Sequence, residues 1–391
     1  MTAERTQPGT KTRRLLYAAV VSASWAVLSV QPLLKYLSRP RALAALVFGL
    51  ASILLAMLFP DPFHFRQRRL HAGWFLALFL VIGQIFTLLY PIQLRHISHR
   101  GSDREDALRI ELDAVVHHQY PYDARTFLDN PPTPLPGAML LAAPFYAIHH
   151  IAWQNLLWLA LFFIFTARFF RYRATALFFL ATFLLFAPAN LSDFVTGGDY
   201  LINFCYVAIA AVLFVHALSR PLPAAVFAAI FLGVTLSSRI LYPLVLIPLL
   251  AYALQRVSIP RARIAALFAI VLLAAAAVTL PIFLPHPFPR LFAVLDQSSS
   301  KIYSLPDALH ARILLPLLAL LIAATAFFVR MDLPRLFLIF AAACLVLLAP
   351  PLISLALHAA YFYAYLAVCS LAFSLWALAR YETTLPPARI Q

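Results

Sequence analysis

Apolar runs long enough to cross a bilayer follow one another along almost the whole of this chain, and they leave its backbone few options. A peptide group in hydrocarbon has no water to bond, so it must be satisfied within a helix or a closed barrel. A barrel requires segments of about ten residues that alternate apolar and polar, and no such alternation occurs here. Helices of about 20 residues are therefore the expected unit. With 63% hydrophobic and 12% charged residues, a water-soluble domain is excluded.

The expected spans are 15–34, 41–59, 71–92, 151–169, 174–189, 201–218, 222–237, 240–256, 263–284, 309–329, 335–350 and 357–379. That makes about 12 transmembrane helices, within a range of 10–13, in one all-α polytopic membrane domain covering residues 1–391. Charge orients them. With Lys11, Arg13 and Arg14 in the cytoplasm, the basic loops around 66–69, Arg168 to Arg173, Arg256 to Arg263, Arg330 and Arg380 fall on the same side, as the positive-inside rule expects. Both termini are then cytoplasmic, as the tails 1–14 and 380–391. The net charge of +15 is mostly this topology signal, with some attraction to anionic lipid head groups. Its basic residues are spread over separate short loops, so a nucleic-acid partner is not expected. Cys205, Cys344 and Cys369 all fall within spans and read as small buried apolar residues. The first apolar segment is too long for a signal-peptide core and lacks a clear small-residue cleavage site, so it is expected to remain as an anchor.

Against this background the polar groups are gathered rather than dispersed. Seven of the 15 carboxylates lie in 93–135, inside the long outer segment 93–150. Within it, 103–118 is expected to form an amphipathic helix, with Leu108, Leu112 and Val115 or Val116 at helical spacing. The run PPTPLP at 131–136 must be extended, because proline lacks the donor and restricts the residue before it. The following 137–150 is too short to cross, and is expected at the interface or re-entering. Segment 284–308 forms a second outer loop and 189–200 a smaller one, so all three cover one face of the bundle.

Several residues there have chemical potential. Asp103 and Asp106 stand three apart and share one helical face. They are either capping acids at a helix start, with Ser102 or Asp103 as the cap, or a carboxylate general base for an attacking hydroxyl. Glu105, Glu111 and Asp113 are assigned to the solvated face. Arg239, in SSRILYP between two spans, is costly unless it snorkels, faces a cavity, pairs with an acid or reaches phosphate oxygens. Asp199 in GGDY is either part of a turn or a lining acid; His358 and Tyr361 stand at the outer start of the last span, where interfacial roles compete with site roles. No P-loop, GxGxxG, HExxH or CxxC set is present, which removes the motif basis for ATP-driven or nicotinamide chemistry. His117/His118 and His149/His150 are adjacent pairs, which rarely face one ion on a helix, so no metal site is expected.

Taken in order, SDREDAL…VVHHQYPYDARTFLDNPPTPLPGAMLLAAPF, TGGDYLINF, SSRILYPLVLIP and LISLALHAAYFY resemble the polyprenyl-phosphate-dependent glycosyltransferases of the GT-C superfamily. The resemblance covers roughly 71–379 and is closest to the bacterial branch of mannosyl- and arabinofuranosyl-transferases. His118 stands near where that branch often has glycine before Pro-Tyr, and its usual Ser-Pro and Trp by the last helix are replaced or shifted. What the resemblance implies is a GT-C-like bundle in a bacterial inner membrane, transferring a sugar from a polyprenyl-phosphate donor to a glycan, lipid or protein acceptor on the periplasmic side. It implies Asp103 or Asp106 as the catalytic base, without choosing between them, and substrate-binding roles for Arg239, His358, Asp199, Tyr122, Asn130 and Tyr361. No cofactor is required, since the leaving group is a monophosphate; a divalent metal is compatible with the acids but not predicted. The reading from a different class is a transporter or flippase for a lipid-linked or anionic substrate, which would need charges lining a path through the bundle.

Overall fold

The computed structural model describes residues 70–94, 102–185, 187–287, 310–349 and 363–384, with isolated positions elsewhere. Expected spans 15–34 and 41–59, most of the 284–308 loop, and the candidate residues His358 and Tyr361 lie outside these described residues. All regular structure among the described residues is helical.

Thirteen α-helices lie among the described residues: α1 (Gly73–Leu94), α2 (Arg104–Val116), α3 (Pro136–Ala147), α4 (Trp153–Phe169), α5 (Arg173–Leu185), α6 (Pro188–Val195), α7 (Tyr200–Ala217), α8 (Leu222–Leu236), α9 (Leu246–Arg256), α10 (Arg261–Phe283), α11 (Ala311–Ala324), α12 (Leu333–Leu347) and α13 (Tyr363–Thr384). Short 3₁₀ turns at Pro121–Asp123, Tyr242–Val245 and Thr325–Phe327 punctuate the chain. Proline at N1 or N2 opens α3, α6, α8 and α12, where its missing N–H has no helical partner to lose.

Among the described residues, three helices are long and apolar enough to cross a membrane: Gly73–Ile92, α7 and α10; the bent pair α5–α6 would make a fourth as one broken span. Their burial separates their roles. In its apolar window α7 is 89% buried, whereas α1 and α10 are only 17% buried. Thus α7 forms the axis of the bundle, and the other two turn apolar sides outward, as lipid-facing helices do. Leu76, Leu80 and Leu88 of α1 and Leu272 and Leu273 of α10 are exposed.

α8 packs along α10, and there the backbones touch. A Cβ on Gly233 would collide with the Val271 carbonyl oxygen. Small residues let apolar helices approach this closely, and dispersion is what holds them in hydrocarbon. Gly233→Leu is expected to lower the thermal midpoint in detergent, at a cost of about 1–3 kcal/mol for overpacking.

The acidic helix expected over 103–118 is α2, and the extended prolines lead into α3, which occupies most of the 137–150 stretch expected at the interface or re-entering. Here Leu108, Leu112, Tyr120, Tyr122, Met139 and Phe283 form a second, smaller core. One assignment is corrected. Of the acids assigned to a solvated face, Glu111 is completely buried, while Glu105 and Asp113 are half-buried and accept from the Tyr90 and Tyr146 hydroxyls; Asp106 is buried as well. Glu111 falls between Leu108 and Leu112 on the inward stripe, so the face that packs carries a carboxyl.

Both histidine pairs stop helices. After α2, His118 adopts φ 57°, its N–H reaches Val115 O at 3.1 Å, and Gln119 N–H reaches Ala114 O at 2.8 Å. After α3, His149 adopts φ 59°, bonding Tyr146 O, and His150 N–H bonds Phe145 O. This double bond pattern is the Schellman closure, whose left-handed residue is ordinarily glycine. His118→Gly is expected to stabilise the protein by about 0.5–1 kcal/mol by relieving that strain, read as a higher melting temperature.

Candidate functional site

The described part of the 93–150 segment, residues 102–150, is fastened to the end of α8 by backbone bonds. Leu135 N–H donates to Ser238 O at 3.0 Å and Gly137 N–H to Ser237 O at 3.1 Å. Glycine at 137 is required, because a Cβ there would collide with the Val234 carbonyl oxygen. This docking brings the proline run to the residue just beyond Ser238. Arg239 Nη1 donates to Thr133 Oγ1 at 2.8 Å.

Arg239 does not snorkel. It is only 6% exposed and pairs with Asp199, 1% exposed, at the N-cap position of α7. Of the ways such an arginine can be tolerated, pairing with an acid is the one realised. Asp199 Oδ2 also accepts from Asn203 Nδ2 at 3.0 Å, and Tyr206 donates to Asn203 Oδ1. The carboxylate thereby also sits at a helix N-terminus, where the dipole favours negative charge.

A second guanidinium stands beside the first. Arg104 pairs with Asp193, whose Oδ2 accepts from Leu201 N–H at 2.9 Å. Both arginines lie over the Tyr200 ring, Arg104 at 4.7 Å and Arg239 at 4.5 Å from its centroid. Ring quadrupoles favour cations so placed, more strongly where water is excluded. The glycines of TGGDY make room for the carboxylates: a Cβ on Gly198 would collide with Asp193 Oδ1, and Gly197 has φ +70° against Glu105.

The two candidate bases differ in how they are held. Asp103 occupies the N-cap position of α2, but its side chain makes no capping bond. Instead its Oδ2 accepts from both Thr126 Oγ1 and Asn130 Nδ2, each at 2.7 Å. In Asp106 both oxygens are engaged, Oδ1 by Arg109 and Oδ2 by Phe127 N–H at 2.8 Å. Asn130 is thus a partner of Asp103. Tyr122 is buried, donates to Pro134 O at 3.1 Å and stacks on Phe283.

Glu111 belongs to the same cluster. Burial pushes its carboxyl well above the usual carboxylate range; Arg239 opposes that shift and Asp199 adds to it. Among the described residues, neither Glu111 oxygen has a hydrogen-bond partner, and Asp199 Oδ1 and the Tyr242 hydroxyl also lack one. Buried polar atoms left without partners are rare enough in native proteins that each needs a reason, and a ligand is one.

The structure therefore brings together Asp103 with Asn130 on the docked segment and Arg239 with Asp199 on the bundle, and the Arg239–Thr133 bond links the two pairs. Arg104, Glu111, Thr133, Asp193, Tyr200 and Asn203 join them without having been singled out from the sequence. Comparison with protein-family models, with curated proteins and with solved structures finds no match to this chain. In chemical terms the cluster offers two guanidinium groups, each balanced by an aspartate, beside a partly exposed carboxylate and several unfilled acceptors. Such a set offers donors and acceptors to a polar, hydroxyl-bearing ligand.

Proposed function

We propose that this chain is a membrane glycosyltransferase of the polyprenyl-phosphate-dependent GT-C type, with about 12 spans, working at the periplasmic face of a bacterial inner membrane. One observation carries this reading. Segments 102–106, 126–136, 196–203 and 237–239, which bear the resemblance, are joined by the bonds Asp103–Asn130, Thr133–Arg239 and Arg239–Asp199.

In this reading the donor lies in the outer leaflet with its phosphate beside Arg239. The acceptor hydroxyl oxygen attacks the anomeric carbon, an aspartate takes the hydroxyl proton, and the bond from that carbon to the phosphate oxygen breaks. Its electron pair leaves on the lipid phosphate, with inversion at carbon. Arg239 stabilises the charge that grows there, a contact worth more as the bond breaks. Its planar fork already spans Thr133 and Asp199, so it meets phosphate with its geometry set.

Between the candidate bases, the hydrogen bonding favours Asp103. Its bonds fall on Oδ2, which leaves Oδ1 for the proton, while Asp106 has both oxygens committed to Arg109 and Phe127. Asp106 then organises the loop.

The test is turnover by the purified protein in proteoliposomes given polyprenyl-phosphate mannose or polyprenyl-phosphate arabinofuranose with a hydroxyl acceptor. Release of polyprenyl phosphate together with a glycosylated acceptor is the expected result. Movement of the intact lipid-linked sugar across the bilayer with no new glycosidic bond would replace this reading by a flippase.

A further inference from the structure

Among the described residues, Glu111 is a buried carboxyl that no hydrogen bond accounts for. It is 0% exposed, and both of its oxygens lack hydrogen-bond partners among the described residues. An ionised carboxylate in that state would be prohibitively costly. It lies close enough to Arg239 and Asp199 to feel both charges, and the buried Tyr122 hydroxyl feels Glu111 in turn. The two nearby cations are already balanced, Arg239 by Asp199 and Arg104 by Asp193. An anionic head group arriving here finds no surplus positive charge, and an ionised Glu111 would repel it. What the cluster needs is a hydrogen-bond donor that adds no negative charge.

Building on the glycosyltransferase reading of this site, we propose that Glu111 acts as a neutral carboxylic acid that donates its O–H to a phosphate oxygen of a prenyl-phosphate head group, next to Arg239. A protonated carboxyl has one O–H donor and keeps an accepting oxygen, which is then available to a sugar hydroxyl. Donation to an anion makes the bond short and charge-assisted. The acid is therefore a specificity element that is satisfied only by a bound phosphate.

Binding of farnesyl phosphate to the full-length protein in detergent tests this, with inorganic phosphate in parallel. Glu111→Gln keeps a neutral N–H donor and should bind farnesyl phosphate within about threefold of wild type, while Glu111→Leu should bind at least about tenfold more weakly. Both variants should fold: Glu111→Leu removes the desolvation cost of an unpartnered buried carboxyl, and Glu111→Gln exchanges one neutral polar group for another of the same shape. Equal losses in the two variants would mean that an ionised carboxylate is needed, and equal binding by all three proteins would mean that Glu111 is idle; either result overturns the proposal. Inorganic phosphate binding as tightly as farnesyl phosphate, with the same dependence on Glu111, would assign the donor to free phosphate and not to a lipid. A wild-type protein that binds neither ligand removes the glycosyltransferase reading itself. Wild-type binding unaffected by Glu111→Leu leaves that reading in place and removes only the role of Glu111.

Discussion

Arg239→Met is expected to destabilise the protein by about 3–5 kcal/mol, the usual cost of breaking a buried ion pair from one side. The loss comes less from the attraction removed than from what stays behind. Asp199 would remain 1% exposed, keeping the Asn203 amide and the start of α7 as its compensation. Thr133 would lose its guanidinium partner as well, loosening the proline run from the bundle. Asp199→Leu leaves the arginine uncompensated and should cost a similar amount. The double variant Arg239→Met with Asp199→Leu should recover much of the stability while recovering no activity, since burying two apolar groups of similar volume is often neutral. Denaturation in mixed micelles, run as a double-mutant cycle, reads this directly. Additive losses would mean that the pair is not coupled.

Asp103→Asn is expected to lower turnover by about 10²–10⁴-fold, the contribution of a positioned proton acceptor. The amide keeps the shape and can still accept from Thr126, so the loop 124–135 should keep its place and donor binding should change little. A fall in kcat with nearly constant KM is the signature of a group acting only in the transition state. Asp106→Asn should behave in the opposite way: it weakens the contacts to Arg109 and Phe127, lowers the melting temperature and spares most of kcat. If Asp106→Asn abolished turnover and Asp103→Asn did not, the two roles would be exchanged.

The positions of the helices were legible because their apolar runs are long and cleanly interrupted. α1, α4, α7, α8 and α10 fall where the runs at 71–92, 151–169, 201–218, 222–237 and 263–284 placed them. α6 falls in 189–200, which the sequence presents as an outer loop, since eight residues with Asn190 and Asp193 make no recognisable span. The site was legible in its types of residue and not in its pairings. Arg239 in an apolar run announced that an acid, a cavity or a phosphate must meet it, yet nothing local says that the acid is Asp199, 40 positions away. Thr133 is 106 positions away, in a run read only for its prolines. Arg104 and Asp193 carry no local signal in the sequence; only the fold pairs them and sets Arg104 over the Tyr200 ring.

Glu111 is the instructive miss, because the signal was present. Leu108, Leu112 and Val115 define the inward stripe of α2, and position 111 is three from 108 and one from 112, on the same side. A carboxyl inside an apolar stripe conflicts with burial unless it is neutral or paired, and such local conflicts concentrate at functional sites. The histidine pairs show the reverse. Two adjacent histidines invite a metal reading, whereas His118 and His149 occupy the left-handed closing position of a helix and their neighbours His117 and His150 flank it.

The measurement closest to the central claim is photo-crosslinking with a prenyl phosphate that carries its reactive group on the isoprene unit next to the phosphate, with the modified peptides mapped by mass spectrometry. Labelling concentrated in 124–139, 199–206 and 237–242, and lost in Arg239→Met with Asp199→Leu, is the predicted result. Labelling spread over the lipid-facing surfaces of α1 and α10, unchanged in that double variant, would contradict a head-group site at the junction of Thr133, Asp199 and Arg239.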